Sequence, residues 1–144
     1  MNDTPQLWTR GDYAISTDRA RLDLDAALEL LRTTFWARSI PVDVLARAVE
    51  NSLAFALYRG STLIGFARVV TDRATYGYVT DVVVADGHRN AGLGQWLTEC
   101  VIAHPDLQQL RRLTLLTRDA RTLYERCGFA VGPDATHVYM ERTP

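Results

Sequence analysis

Two glycines and an arginine at close spacing carry the first chemistry. Arg89-Asn90-Ala91-Gly92-Leu93-Gly94 follows the apolar run Val82-Val83-Val84 and precedes a segment with Leu93, Trp96, Leu97 and Val101 on one helical face. A strand that ends in a glycine-bearing loop at a helix N-terminus points free backbone N–H groups at one place. Such a place suits phosphate. Lacking Cβ atoms, Gly92 and Gly94 permit close approach or positive φ. The loop is not a P-loop: all 16 basic residues are arginine and Gln95 follows Gly94, where that motif needs Lys and then Ser or Thr. The absence of lysine also excludes a Schiff base on this chain. A dinucleotide fingerprint needs three glycines at the first turn of a β-α-β unit, and this loop offers two after a run of strands.

The elements around the loop follow from periodicity. Tyr13–Thr17 reads as a first strand. Asp23 or Asp25 caps a helix with Leu24, Leu28, Leu31 and Phe35 at helical spacing. Trp36–Pro41 breaks it, and Pro41 starts a second helix bearing Val42, Leu45 and Val49. Ala54–Tyr58 and Leu63–Val70 form a hairpin about Arg59–Thr62, and Tyr76–Val84 is the next strand. A helix over Leu93–Ala103, a strand over Leu113–Thr117, a short helix over Ala120–Cys127 and closing strands at Ala130–Val131 and His137–Met140 complete the chain. The order is β-α-α-β-β-β-α-β-α-β(-β). The implied fold class is α/β (α+β), with a mixed, mostly antiparallel central sheet of six to seven strands flanked by about four helices.

Composition narrows the partners. One domain is expected from 144 residues, and a net charge of −1 gives no polyanion signal. No apolar run approaches a membrane span, and the N-terminus lacks the basic and apolar regions of a signal peptide. Nucleic acid and membrane are therefore not expected partners. Cys100 and Cys127 fall on apolar helix faces, which reads as free buried thiols in a cytoplasmic protein. His88, His104 and His137 lie far apart with no ligand spacing, so no metal is expected.

Two motifs in order then resemble one family. Arg89-x-x-Gly92-x-Gly94 is similar to the Arg/Gln-x-x-Gly-x-Gly/Ala motif of the GNAT superfamily of acetyl-CoA-dependent N-acyltransferases. Ala120-x-x-Leu123-Tyr124-x-x-x-Gly128-Phe129 resembles its second hallmark. The resemblance covers roughly residues 13–142. It implies acetyl-CoA as co-substrate, with the main chain of Val82 and Val84 on the pantetheine arm. The N–H groups of Asn90, Ala91, Gly92, Leu93, Gly94 and Gln95 would cradle the pyrophosphate. Tyr124 would be the general acid for the departing thiolate. Thr117 stands where the family often has Asn, a pantetheine contact. The N–H of Val83 or Val84 is the family's kind of oxyanion donor.

The implied reaction is attack of an amine on the thioester. An alkylammonium with pKa ~10.4 takes about 4.6 kcal/mol to become neutral at pH 7, so a base is expected near the amine. Asp81, at the head of the cofactor-contacting run, is the first candidate. Trp36 and Arg38, between the first two helices, and Tyr78 are the expected acceptor contacts. Of Arg111, Arg112, Arg118, Arg121 and Arg126, most are expected on solvated faces, with one or two free to meet the CoA phosphate. The expected acceptor is a small-molecule amine. A CoA-binding module without turnover and a protein acetyltransferase are the alternatives. Homodimerisation, common in the family, would need an exposed edge such as His137–Met140.

Overall fold

The computed structural model describes residues 3–89, 91–132 and 137–144. Six strands form one sheet in sequential order: β1 (Leu7–Arg10), β2 (Tyr13–Ser16), β3 (Leu53–Arg59), β4 (Thr62–Thr71), β5 (Tyr76–Val84) and β6 (Arg112–Leu115). All neighbours are antiparallel except β5 and β6, which run parallel. The parallel pair needs a crossover. Helix α3 (Leu93–Ala103) provides it, packing on one sheet face through Leu93, Leu97 and Val101 against Ile15, Phe55, Leu57 and Val69. Helices α1 (Leu24–Leu31) and α2 (Val42–Glu50) cover the other face, against Ala54, Phe66 and Val83. The two clusters take alternate residues of β3, as a strand buried on both faces requires. Helix α4 (Arg121–Arg126) follows β6. No helix of the described residues is long and apolar enough to cross a membrane.

The mixed sheet and four helices match expectation, with corrections at both ends. The first strand is a hairpin: β1 precedes β2 about Gly11, whose φ is +56°. β1 is almost wholly exposed, so it carries no alternating pattern to read. The expected closing strands are not formed. Residues 130–132 and 137–144 have no regular structure, and Val138 and Met140 are 79% and 86% exposed. Their β-type alternation has no core face to bury. Helix α1 stops at Leu31, capped at its start by Asp23, whose carboxylate accepts from Ala26 N at 3.2 Å. Phe35 therefore leaves the helix and stands half-exposed in the following loop.

Candidate active site

The site exists because β6 is short. It pairs with β5 only from Tyr76–Arg112 to Val79–Leu115, leaving residues 80–84 with β4 on one side and no strand on the other. Within that stretch Phe66 faces Val83 while Arg68 faces Thr80, so Asp81 and Val82 together oppose Ala67. This is a β-bulge, and Asp81 takes φ +56° there. Ala85 N donates to Ile64 O at 2.8 Å, so by alternation the N–H and C=O of Val83 also face β4. Those of Val82 and Val84 face the open side. Val84 O accepts there from Arg89 Nε at 3.1 Å.

Two clefts meet at this opening. One, of about 670 Å³, runs along Val82–Val84 beneath Arg89, Gly92, Gly94 and Gln95. The other, of about 590 Å³, lies between residues 78–82 and 115–120 and is walled by Phe35 and Trp36. Tyr124 and Asp119 line both.

The glycine loop is built as its sequence implies. Gly92 sits at the N-cap of α3 with φ +72°, and a Cβ there would meet nothing within 4 Å. Leu93 is buried and anchors the helix, while Ala91 is exposed. Gly94 lies against α4: a Cβ would come 3.3 Å from Leu123 Cδ1. Gln95 turns its amide to Glu99 at 3.0 Å. Arg89 also pairs with Asp86 at 3.0 Å. Asn90 lies outside the described residues.

Tyr124 is placed by the turn that ends α4. Its carbonyl accepts from Cys127 N at 3.0 Å and Phe129 N at 3.1 Å. Gly128 supplies the positive φ of that turn, +95°, and the Phe129 ring meets Tyr124 edge-on at 6.0 Å. Burial, then the nearby Cys127 and Asp119, push the phenol above its ordinary pKa, so it is a hydroxyl at neutral pH. Thr117 lines the aromatic cleft, and its Oγ1 accepts from Ala120 N at 2.9 Å. Burial raises both thiols, Cys100 to about 12, so neither offers a thiolate nucleophile.

Asp81 is buried and its carboxylate is engaged. Oδ1 accepts the Trp36 indole N–H at 3.0 Å, and Oδ2 accepts Arg68 Nε and Nη2 at 3.0 and 2.9 Å. Trp36 is thus tied to the bulge and faces both clefts, and Tyr78 lines the aromatic one. Arg38 is exposed and lines neither. The positive charge on the aromatic wall comes from Arg118, whose guanidinium carbon stands 3.8 Å from the Phe35 ring centroid. Phe35 and Asp119 on the cleft wall, and Arg68 behind it, carry no motif in the sequence, and Arg118 lines the aromatic cleft rather than the cleft under the glycine loop. Among the described residues no group of three His, Cys, Asp or Glu is placed to hold a metal.

Comparison with known proteins agrees with this fold. The family model for the acetyltransferase (GNAT) domain matches residues 50–131. A Gibberella zeae protein named as an acetyltransferase is 38% identical over 143 residues, covering 83% of this chain and 80% of its own. The crystal structure of a GNAT-family protein from Xanthomonas campestris, 41% identical, superposes with a TM-score of 0.85 over 92% of this chain and 93% of that one. A GNAT acetyltransferase from Elizabethkingia anophelis with acetyl-CoA bound shares the fold at 16% identity, with a TM-score of 0.68 over 86% and 80% of the two chains. A domain match over more than half of the chain, with two relatives 38% and 41% identical over most of it, shows that the chain is a member of the GNAT acetyltransferase family.

Proposed function

We propose that the protein transfers an acetyl group from acetyl-CoA to a primary amine of a small molecule, by direct attack within a ternary complex. The observation that carries this reading is the position of Tyr124, at the seam where the cleft under the glycine loop meets the aromatic cleft. The first cleft fits the co-substrate. Val82 and the N–H of Val84 present main-chain groups with no strand partner to a pantetheine arm, as a strand edge does to another strand. The open space at Gly92 leaves room for a diphosphate at the positive end of α3, where the N–H groups of residues 91–95 lie. Arg89 stands at the same loop, and Thr117 lines the neighbouring cleft. The second cleft is of a size that suits a small ligand.

Acetyl-CoA supplies the activated thioester. The chain's own residues supply placement and protons. Of the two expected oxyanion donors, Val83 has its N–H turned to β4, so Val84 is the one whose N–H faces the opening. Tyr124 holds its proton at neutral pH and delivers it from Oη to the departing sulfur. Its raised pKa makes complete transfer to a thiolate uphill by more than the ~2 kcal/mol of an unperturbed phenol, so donation is completed late. Asp81 already accepts three hydrogen bonds, and a proton there would unpair the buried Arg68. We therefore read Asp81 as the residue that positions Trp36 and the bulge, and leave the amine's proton to water or to Asp119 at the seam.

Release of free thiol from acetyl-CoA, followed across a panel of small amines, tests the reading. Amine-dependent thiol release with matching N-acetyl product is expected. Tight CoA binding with no release from any amine would instead identify a CoA-binding module.

A further inference from the structure

The wall of the aromatic cleft carries information about the acceptor, provided that cleft is the acceptor side as proposed above. Phe35 and Trp36 are 52% and 47% exposed, packed edge to face at 5.0 Å. Paired aromatic rings left in water beside a concavity mark a surface that something covers. Arg118 lies on Phe35, and among the described residues no carboxylate pairs with it. Arg68 and Arg89, beside the same opening, each have an acidic partner. Contact with the ring holds the Arg118 guanidinium at the wall and leaves its N–H fork available.

The next residue is Asp119. It faces the aromatic cleft like Arg118, but also the seam with Tyr124. Its charge is close enough to be felt by the Tyr124 phenol. Among the described residues it has no ion pair. The remaining acid of the cleft, Asp81, is neutralised by Arg68. The cleft therefore presents one available cation against its aromatic wall and one available anion at the seam.

We propose that Arg118 and Asp119 form an acceptor subsite for a zwitterionic amine, one that carries a carboxylate or similar anion on an apolar body. The Arg118 fork takes the anion in two parallel hydrogen bonds. Asp119 receives the ammonium group beside Tyr124. Phe35 and Trp36 cover the apolar part.

Two matched acceptor pairs test this: phenylalanine against phenylalaninamide, and 4-(aminomethyl)benzoate against 4-(aminomethyl)benzamide. In at least one pair the carboxylate is expected to have a kcat/KM at least tenfold above its amide. That ratio should fall below threefold in Arg118→Gln and be partly restored in Arg118→Lys. A ratio below tenfold in both pairs, or a ratio that stays above threefold in Arg118→Gln, overturns the proposal. If no amine is acetylated, acetyl transfer fails as a reading, yet calorimetric titration of the same four compounds into the CoA-saturated protein still decides the subsite by the same ratios, read as Kd.

Discussion

Arg68 donates from both Nε and Nη2 to the single oxygen Oδ2 of Asp81, at 3.0 and 2.9 Å, across the bulge between β4 and β5. Both side chains are withdrawn from water, at 15% and 7% exposure. Asp81 holds φ +56° while doing so, a conformation disfavoured for a residue with a Cβ and tolerated best by Asp and Asn. The pair thus offsets backbone strain at the point where β5 turns its amides toward the opening.

Asp81→Asn keeps the backbone preference and an acceptor for Trp36, but strands a buried guanidinium. Removing one partner of such a pair costs about 3 kcal/mol. Urea denaturation should show a loss of that order, and Arg68→Met in the Asp81→Asn background should recover part of it, giving a clear coupling energy in the double-mutant cycle. Unchanged stability together with a collapsed kcat and a lost acidic limb in the pH–rate profile would instead make Asp81 the base.

For Tyr124→Phe, turnover should fall at least tenfold while acetyl-CoA affinity stays within twofold, because the ring and its contact with Phe129 remain. The direction of its pKa adds a second check. The phenol is raised above its ordinary value of about 10, so it stays protonated as pH rises through neutrality. The wild-type kcat should show no basic decline below pH ~10 that the variant lacks. Turnover unchanged in Tyr124→Phe would remove the residue from the proton path.

Much of this site was legible in the chain, and what was not has physical causes. The loop and the Tyr124 turn are local: each is a short segment whose glycines and periodicity state its conformation. The Arg68–Asp81 pair is not local, yet a signal was present. Gly77, Val79, Asp81 and Val83 are the alternate, buried residues of β5, and a carboxylate in a buried position needs a partner. Arg68 is the cation inside the neighbouring strand. Its pairing depends on the bulge, because register along β4 and β5 shifts there, and register is not stated by either strand alone. Arg38 is expected at the acceptor because the resemblance places the segment between the first two helices on that wall. The early end of α1 swings Phe35 outward, and a residue from the loop after β6 reaches it instead.

Gly92→Ala separates the loop's conformation from its space. The position has φ +72° with nothing near an added Cβ, so packing is not disturbed. The left-handed conformation should make the variant less stable by about 1 kcal/mol. Acetyl-CoA affinity should fall at least tenfold, since the methyl would occupy the space left for the diphosphate. Gly87→Ala is the control: it also meets nothing within 4 Å and has no positive φ, so stability and affinity should both change little. Calorimetry with CoA reads the affinities, and equal losses in the two variants would show that the effect does not come from the α3 N-terminus.

The loop between β4 and β5 sets where β5 begins, and Asp72 organises it. Its carboxylate accepts from the N–H groups of Ala74, Thr75 and Tyr76 at 2.9, 2.7 and 3.2 Å and from the Thr75 hydroxyl at 2.6 Å. Those bonds, the Thr75 hydroxyl foremost, hold the carboxyl well below its usual range. A group depressed in the folded state adds stability that is fully present above its unfolded pKa of about 3.9 and is lost as pH falls toward the folded value. Asp72→Ala should therefore lower Tm by a constant amount above pH ~5, and the gap to wild type should narrow below pH ~4. The same variant should weaken acetyl-CoA binding at neutral pH only modestly, because the stretch carrying Val82 and Val84 is held by Val83 and Ala85 on β4 and by the Arg68–Asp81 pair rather than by the loop. A Tm gap that widens in acid would mean that the carboxylate is not what organises the turn.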